Sequence, residues 1–222
     1  MIVGLLGFIG SGKGTAGEIL AGQGFIPISF ASSLKDIASQ MFGWERELLE
    51  GSTEFSRQFR EKPDAFWSQE FGREFTPRLA LQLMGTEVGR NVFHPDFWVI
   101  KAKQQMHVLM SKGFENFVIT DVRFPNEMKM IQYEGGILIE VQRGISPHWM
   151  SLAAKANRGD SKALEFMREN GPHESEWRWI GGEIDYSIDN NSTVEDLKKK
   201  LLTCLKRSFG SSIIEESNEG VS

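Results

Sequence analysis

The sequence contains little cysteine and no long hydrophobic run. Its single cysteine among 222 residues, Cys204, cannot form an internal disulfide, which is typical of proteins in a reducing compartment. No segment approaches the roughly 20 apolar residues that a membrane-spanning helix needs, and no basic leader precedes the first glycines. We therefore expect a cytoplasmic protein that does not bind a membrane, with Cys204 as a buried apolar side chain on the last helix.

The sequence also has no excess of positive charge. The formal net charge is −5, whereas proteins that bind the nucleic-acid backbone usually present a basic face. We therefore expect no nucleic-acid partner, and an anionic ligand must meet a local cluster of cations. The length and the 40% hydrophobic content are enough for one sizeable core. We predict one domain at 1–209, followed by a disordered acidic tail at 210–222.

Short apolar runs alternate with amphipathic segments along the chain. We predict β-strands at 1–6, 25–30, 117–120, 137–141 and 186–188. The segments between them show the apolar spacing of helices. This alternation predicts an α/β fold, with a parallel sheet of about five strands and helices on both faces. Residues 44–75 show no clear period, and we predict an irregular excursion there.

A glycine-rich loop follows the first predicted strand. The run Gly7-Phe8-Ile9-Gly10-Ser11-Gly12-Lys13-Gly14-Thr15 fits the phosphate-binding G-x-x-x-x-G-K pattern between a strand and a helix. Glycines let several backbone N–H groups converge on phosphate oxygens, and the helix dipole favours the same anion. The pattern predicts ATP binding, with Lys13 on the outer phosphates and the Thr15 hydroxyl on Mg²⁺. The alternative is a glycine-rich turn with a solvent-facing lysine.

An acidic and a basic residue follow the third predicted strand. Asp121 and Arg123 lie where parallel strands deliver side chains to the ligand-binding edge of the sheet. Asp121 is predicted to orient hydrated Mg²⁺, and Arg123 to bind a phosphate that is transferred or accepted. The alternative is structural: Asp121 caps the next turn, and Arg123 pairs with it or with Glu127.

Two further segments are candidates for ligand contacts. An acceptor-binding region is predicted at about 31–98, where Glu87 and Arg90 are either ligand contacts or a surface ion pair, and Trp98 either stacks on a base or belongs to the core. A lid is predicted at about 144–182, where Arg143 would stabilise charge on the transferred group. The alternative for this segment is an ordinary exposed helix pair.

At this point the chain resembles the bacteriophage deoxynucleoside monophosphate kinases. Five blocks carry the resemblance: Gly10–Thr15, Phe30–Lys35, Pro77–Arg90, Pro95–Val99 and Ile119–Glu127. It implies a P-loop NTPase fold with NMP-binding and lid segments. It also implies transfer of the ATP γ-phosphoryl group to a deoxynucleoside monophosphate (dNMP) with Mg²⁺, in the host cytoplasm if a phage encodes the chain. The family commonly has an acidic residue at the position of Gly14.

The resemblance also implies roles for single residues. Lys13 and Thr15 would serve ATP, and Asn190 would lie near the adenine. The acceptor-site candidates that it adds or supports are Lys35, Arg78, Glu87, Arg90 and Arg123. Two rival functions stay open: a P-loop kinase for another phosphorylated metabolite, and an ATP-dependent switch protein. The sequence also leaves open whether the chain forms a homodimer.

Overall fold

A single parallel β-sheet organises the fold. The computed structural model describes residues 1–210, so the predicted tail lies outside the described residues except for Gly210. The five strands are β1 (Ile2–Leu6), β2 (Ile26–Ile28), β3 (Phe117–Ile119), β4 (Ile137–Gln142) and β5 (Tyr186–Asp189). Their order in the sheet is β2-β3-β1-β4-β5, and all neighbouring pairs are parallel. The predicted α/β fold is confirmed, with strands within a few residues of the predicted bounds.

Helices connect the strands. The α-helices are α1 (Lys13–Ala21), α2 (Ser32–Phe42), α3 (Glu54–Glu61), α4 (Ala65–Phe71), α5 (Pro77–Gln82), α6 (Phe97–Met110), α7 (Pro125–Tyr133), α8 (Met150–Asn157), α9 (Ser161–Asn170) and α10 (Val194–Phe209). Short 3₁₀ turns lie at Arg46–Leu49 and Glu174–Glu176, and a π-helix at Leu83–Phe93. No helix within the described range is long and apolar enough to cross a membrane.

The chain divides into two compact units. The sheet unit comprises Met1–Ser29 and the chain from Gln105 onward, and the helical unit comprises Phe30–Gln104. The helical unit contains all of the predicted acceptor-binding region, 31–98. Each unit has its own set of buried side chains, so each is described separately.

Both faces of the sheet are covered by helices. On one face, α1 and α10 pack against alternate strand residues, and their core includes Leu20, Leu201 and Leu205. On the other face Gly4 leaves room for Ile131 of α7, because a Cβ at Gly4 would lie 2.5 Å from the Ile131 Cδ1 atom. Strands buried on both faces must be apolar throughout, which is why the sequence shows runs rather than alternation. Cys204 is buried in the α10 core, as predicted.

The segment between β4 and β5 is a helix pair followed by a tryptophan-rich turn. Asp160 caps α9 by accepting a hydrogen bond from the Ala163 amide at 3.0 Å. Trp177 is 1% exposed, and its Nε1 donates to the Pro172 carbonyl at 3.1 Å. The Asn157 side chain donates to the Trp177 carbonyl at 2.9 Å and thereby links α8 to this turn. The predicted helical character of this segment is confirmed, and the buried tryptophans give it a core of its own.

The prediction of an irregular excursion at 44–75 is wrong. Two short capped helices, α3 and α4, lie there: Thr53 caps α3 by accepting from the Ser56 amide, and Asp64 caps α4 by accepting from the Trp67 amide. Aromatic side chains supply the packing, with ring centroids 4.6 Å apart for Phe42 and Trp44. Helices of eight and seven residues are too short to show a clear apolar period, which is why the pattern was not recognised.

Helix α5 begins at Pro77, and the hydrogen bonding of the chain changes where it ends. Thr76 caps α5 by accepting from the Leu79 amide at 3.1 Å, and Pro77 takes the first helical position. From Leu83 the chain continues as a π-helix, which ends where the His94 amide donates to the Gly89 carbonyl at 3.2 Å. A π-helix has a wider turn than an α-helix, so side chains beyond Leu83 do not follow α-helical spacing.

Candidate active site

The glycine-rich loop joins β1 to the first turn of α1. Gly12 is the N-cap residue of α1 and has φ 102°, a conformation that favours glycine. Its place is also crowded, because a Cβ there would overlap the Asn190 side chain. No acidic residue lies in the first turn of α1, and the first N–H groups of a helix have no intrahelical acceptor. The loop therefore presents backbone donors and a positive helix end together.

Lys13 folds back over the loop. Its Nζ donates to the Gly7 and Phe8 carbonyls, each at 2.8 Å. The pKa of Lys13 is lowered from 10.5 to about 8, mainly by burial and in smaller part by the nearby charge of Arg123, while Glu176 and Asp121 act in the opposite direction. A buried ammonium next to another cation is poorly stabilised. An anionic group placed here would therefore be bound strongly by Lys13.

Ser11 and Asn190 fix the shape of the loop. The Asn190 side chain donates to the Ser11 carbonyl at 2.9 Å, and the Asn190 amide donates to the Gln142 carbonyl at 2.7 Å. Ser11 is 2% exposed, and its hydroxyl has no hydrogen-bond partner within residues 1–210. A buried polar atom without a partner costs stability unless a ligand completes it. Asn190 thus holds the loop, and its contact with adenine stays a prediction.

In the first turn of α1, Thr15 carries a hydroxyl group and Gly14 leaves open space beside the helix. The Thr15 side chain is partly exposed and makes no hydrogen bond to any other described residue. A Cβ at Gly14 would meet nothing within 4 Å. The position therefore has space for the acidic side chain that the resembled family commonly carries there, and Gly14 leaves this space empty.

Asp121 lies just beyond the end of β3, at the same edge of the sheet as the loop. Its Oδ2 accepts a hydrogen bond from the Ser29 hydroxyl at 2.7 Å, and Ser29 follows β2, the strand next to β3. Asp121 is close enough to Lys13 to raise the pKa of that lysine. The structure therefore brings Asp121 and Lys13 together, as the position of both residues after strands predicted.

Arg123 is held by two carboxylates. Its backbone amide donates to Glu127 Oε2 at 2.6 Å, and its guanidinium Nη1 donates to Glu176 Oε1 at 2.8 Å. The structural alternative paired Arg123 with Asp121 or Glu127. A contact with Glu127 is present, but it is made by the backbone: Glu127, at 1% exposure, accepts from the amides of Arg123 and Phe124. The guanidinium is joined to the 3₁₀ turn before Trp177.

The other cations of the predicted lid differ in their surroundings. Arg143, one residue past β4, is exposed and makes no hydrogen bond or ion pair within the described part of the chain. Arg178 is tied down, because its Nη1 donates to Asn157 Oδ1 at 3.3 Å and its guanidinium lies 5.5 Å from the Trp177 ring centroid. The Arg143 side chain is therefore free to move, as its predicted role in the lid requires, whereas Arg178 has a structural role.

In the helical unit, Lys35 belongs to a charged network. Its Nζ lies 2.6 Å from Glu50 Oε2, and Arg46 contacts both Glu50 and Asp36. Burial opposes ionisation of Glu50, but hydrogen bonds and charges from Lys35 and Arg46 outweigh it and lower the pKa of Glu50. The Lys35 side chain is 14% exposed, so its ammonium is held in one place rather than moving freely.

The remaining acceptor candidates of this unit also have partners. The Arg78 Nε donates to a Glu61 carboxylate oxygen. Glu87 accepts from the Asn91 side chain at 2.9 Å, and Arg90 Nη1 donates to the Pro95 carbonyl at 3.4 Å. These contacts order the side chains within the helical unit. Their binding roles stay predictions.

Trp98 is part of the packing of the helical unit. It is 5% exposed, and its Nε1 donates to the Gly85 carbonyl at 2.7 Å. A Cβ at Gly89 would lie 2.6 to 2.9 Å from three atoms of the indole ring, so the π-helix packs directly against the ring. The structure supports the core alternative for Trp98 over stacking on a base, because a face covered by backbone cannot receive a ligand.

Three residues of the site were not predicted from the sequence: Ser29, Glu176, and Glu127 in its role as an acceptor for backbone amides. Ser29 was detectable, because it lies at the C-terminal end of a predicted strand, at the ligand-binding edge of the sheet. Glu127 follows a proline at the start of α7, which is the pattern of a helix N-terminal acid. Glu176 had no sequence signal, because 53 residues separate it from Arg123.

Comparison with known proteins agrees with these features. A family model described as deoxynucleotide monophosphate kinase matches residues 49–148. A protein of Acanthamoeba polyphaga mimivirus that is named as a deoxynucleotide monophosphate kinase is 31% identical over 215 residues, which cover 92% of this chain and 96% of the viral one. The deoxynucleoside-5′-monophosphate kinase of Escherichia phage T5 is 42% identical over 57 residues, 26% of this chain and 22% of its own. The solved dephospho-CoA kinase from Campylobacter jejuni covers 94% of this chain and 98% of its own, at 19% identity and a TM-score of 0.47.

Proposed function

The chain belongs to the deoxynucleotide monophosphate kinase family and is a phosphotransferase, and we propose that it transfers the γ-phosphoryl group of ATP to a dNMP, giving a dNDP and ADP. One observation in the structure carries this proposal: Lys13, Asp121 and Arg123 gather beside the N-terminus of α1, at the edge where parallel strands end. Two cations, one carboxylate and a row of backbone donors form a set suited to a polyphosphate and a metal ion.

The ATP polyphosphate is proposed to bind the glycine-rich loop. Backbone N–H groups of Gly10 and of Gly12 to Thr15 would donate to the phosphate oxygens, whereas the Ser11 amide already donates to the Phe8 carbonyl at 3.2 Å. The unpartnered Ser11 hydroxyl adds a donor. Lys13 would leave the Gly7 and Phe8 carbonyls for the outer phosphates, where its positive charge is better compensated. The hydrogen bond from Asn190 to the Ser11 carbonyl would hold the loop backbone in place during this exchange.

Mg²⁺ is part of the proposal, and the donor set fits it. Mg²⁺ in kinases is usually held by one or two protein oxygens together with phosphate oxygens and water. Thr15 offers a hydroxyl without a partner in the described chain, and Asp121 offers a carboxylate that the Ser29 hydroxyl orients. When bound, the ion would neutralise charge that builds up on the phosphoryl oxygens.

The transfer itself requires positioning rather than proton removal. A phosphate oxygen of the dNMP forms the new bond to the γ-phosphorus, and the bond from that phosphorus to the β–γ bridging oxygen breaks with its electron pair going to ADP. The attacking oxygen is already anionic, so no general base is required. Lys13 and Arg123 would stabilise the spreading negative charge, and Arg143 is the lid cation proposed to join them.

The acceptor would be bound through residues of the helical unit. Lys35 and Arg78 are proposed for the dNMP phosphate, and Glu87 and Arg90 for the rest of the nucleotide. The existing carboxylate partners of Lys35 and Arg78 support this by holding long side chains in defined positions. A cytoplasmic location, in the host cell if a phage encodes the chain, belongs to the same proposal.

A substrate panel tests the proposed function. The purified chain is incubated with ATP and Mg²⁺ and with each of the four dNMPs, the matching ribonucleotides and several phosphorylated metabolites, and ADP formation is followed. We expect ADP formation that depends on at least one dNMP and yields the matching dNDP by chromatography. Activity on a metabolite with none on any dNMP would reject the acceptor. Hydrolysis of ATP that no acceptor changes would instead indicate a switch protein.

A further inference from the structure

The guanidinium of Arg123 is fixed at one of its three nitrogens. Nη1 donates to Glu176 Oε1 at 2.8 Å and to the Ser175 carbonyl at 3.2 Å. Within the chain that the structure describes, Nη2 and Nε of Arg123 make no hydrogen bond. A guanidinium binds a phosphate best through two parallel N–H groups. The edge that joins Nη2 and Nε is therefore the one left for a ligand.

Glu176 is itself held firmly in place. Its carbonyl accepts from Trp179 Nε1 at 3.1 Å, and the next residue, Trp177, is 1% exposed. The Trp179 ring lies 5.2 Å from the ring of Phe8 in the glycine-rich loop. The Glu176 side chain is only 17% exposed. The carboxylate thus comes from a turn whose backbone is packed against the loop that would bind ATP.

We propose that Glu176 is a positioning residue for phosphoryl transfer, which holds the Nη1 side of Arg123 so that its Nη2–Nε edge faces the phosphate. The inference rests on the proposed function, in which Arg123 is a phosphate-binding group. Glu127 fixes the backbone end of Arg123 and Glu176 fixes the far end. Two anchors at opposite ends remove most of the freedom of a long side chain, which is what an oriented transition-state contact requires.

Glu176 could instead inhibit the enzyme by occupying the position of the phosphate. In that case, removing its carboxylate would strengthen nucleotide binding and raise turnover. If it positions Arg123, removing it lowers kcat. Because the Nη2–Nε edge has no protein partner in the described chain, a phosphate can bind Arg123 without displacing Glu176. The geometry therefore favours positioning.

Steady-state kinetics of Glu176 variants test the inference. Glu176→Ala is expected to lower kcat for the preferred dNMP about 10- to 100-fold, because a misoriented contact mainly affects the transition state. The KM for ATP should change less than about threefold, because Lys13 and the loop are unaltered. Glu176→Gln keeps an oxygen that accepts from Nη1 and should retain most of kcat. Glu174→Gln is the matched control: it removes the same charge from the same turn, and no hydrogen bond or ion pair joins the Glu174 side chain to another described residue.

A double-mutant cycle shows whether Glu176 acts through Arg123. In an Arg123→Ala background, Glu176→Ala should lower kcat less than about threefold, since its target is gone. An equal loss with and without Arg123 would mean a general structural role and would overturn the inference. So would an increase in kcat, or a Glu176→Ala enzyme as active as the Glu174→Gln control.

Thermal melting accompanies each variant. If Glu176→Ala does not fold, the cycle is run with Glu176→Asp, whose shorter side chain should not reach Nη1. No loss of kcat in Glu176→Asp, or a loss that persists equally without Arg123, is again contradictory. Wild-type turnover is measured first. A wild type inactive on every dNMP contradicts the proposed function and this inference with it. An active wild type matched by an active Glu176→Ala contradicts this inference alone.

Discussion

The sheet unit and the helical unit supply candidate ligand groups in different ways. In the sheet unit most of these groups belong to the backbone or sit at strand ends: the loop amides, Lys13 folded onto the loop, and Asp121 after β3. In the helical unit they are long charged side chains, and Lys35 and Arg78 are each paired with a carboxylate. The groups of the sheet unit are therefore placed by strand topology, and those of the helical unit by contacts between side chains.

This difference indicates how sensitive the candidate ligand groups of each unit are to substitution. A backbone site depends on a few residues whose conformation or charge cannot be replaced, so single substitutions there should have large effects. A site made of paired side chains distributes its binding over several groups, so single substitutions should have smaller effects. The predictions below start with the sheet unit and end with the helical unit.

Lys13→Ala should have the largest effect. Because Lys13 is the cation proposed for the outer phosphates, its loss should lower kcat at least about 10³-fold. The fold should persist, because a buried ammonium whose pKa is lowered contributes little to stability. Turnover with the preferred dNMP and a thermal melt measure both quantities. Lys112→Ala, which removes an exposed lysine, serves as the control, and a Lys13→Ala enzyme with a near-normal rate would refute the assignment of the loop.

Gly12→Ala should come next. Alanine at φ 102° is strained by about 1–2 kcal/mol, and its Cβ would overlap Asn190, so the loop must distort. ATP affinity is expected to fall about 10- to 100-fold in a calorimetric titration. The control is Gly22→Ala at the other end of α1, where the glycine has φ −64°. Equal affinities for the two variants would mean that the loop does not bind the polyphosphate.

The pH dependence of ATP binding should show a moderate effect. Burial and, to a smaller extent, the charge of Arg123 together lower the pKa of Lys13 to about 8. Bound phosphates would favour the protonated form and raise that pKa. Below pH 8 Lys13 is charged before binding, so affinity is insensitive to pH. Above pH 8 binding must take up a proton, so the Kd should rise about tenfold between pH 7 and pH 9.

Calorimetry in two buffers of different ionisation enthalpy measures this proton uptake directly. Nearly one proton should be taken up at pH 9 and close to none at pH 7, and the uptake should vanish in Lys13→Ala. Equal Kd values at both pH values, with no proton uptake, would show that Lys13 is not coupled to the phosphates.

In the helical unit, Gly89→Ala should leave ATP binding nearly unchanged and act on stability instead. Its Cβ would lie 2.6 Å from Trp98 Nε1, so the π-helix must shift, at a cost of about 1–3 kcal/mol in the free energy of unfolding. Gly85→Ala is the control, because its Cβ meets only the flexible end of Leu34 at 3.0 Å. Chemical denaturation compares the two. A Gly89→Ala protein as stable as Gly85→Ala would disprove the tight packing on Trp98.

The same difference between units explains what the sequence could predict. The strands, the glycine-rich loop and the acid after β3 were predictable, because buried parallel strands and phosphate loops have local sequence signatures. The helices α3 and α4 were not, since each is only about two turns long and their packing depends on aromatic contacts such as Phe42 with Trp44. The π-helix was missed because its turn differs from the assumed period.

Side-chain partners were the least predictable part of the site. The hydrogen bond from Arg123 to Glu176 joins two segments that only the folded chain brings together. Glu127 binds the backbone amide of Arg123 rather than its guanidinium, because of the way the chain enters α7. Trp98 could not be assigned from sequence, because an aromatic residue on an amphipathic helix fits both a core and a binding role.

Titration of ATP into the folded chain in the presence of Mg²⁺ tests the central claim most directly. The account predicts saturable binding of one ATP per chain at pH 7, strongly weakened in Gly12→Ala and in Lys13→Ala while thermal melts show that both variants are folded. A folded wild type that takes up no ATP, or one whose affinity neither substitution changes, would contradict it.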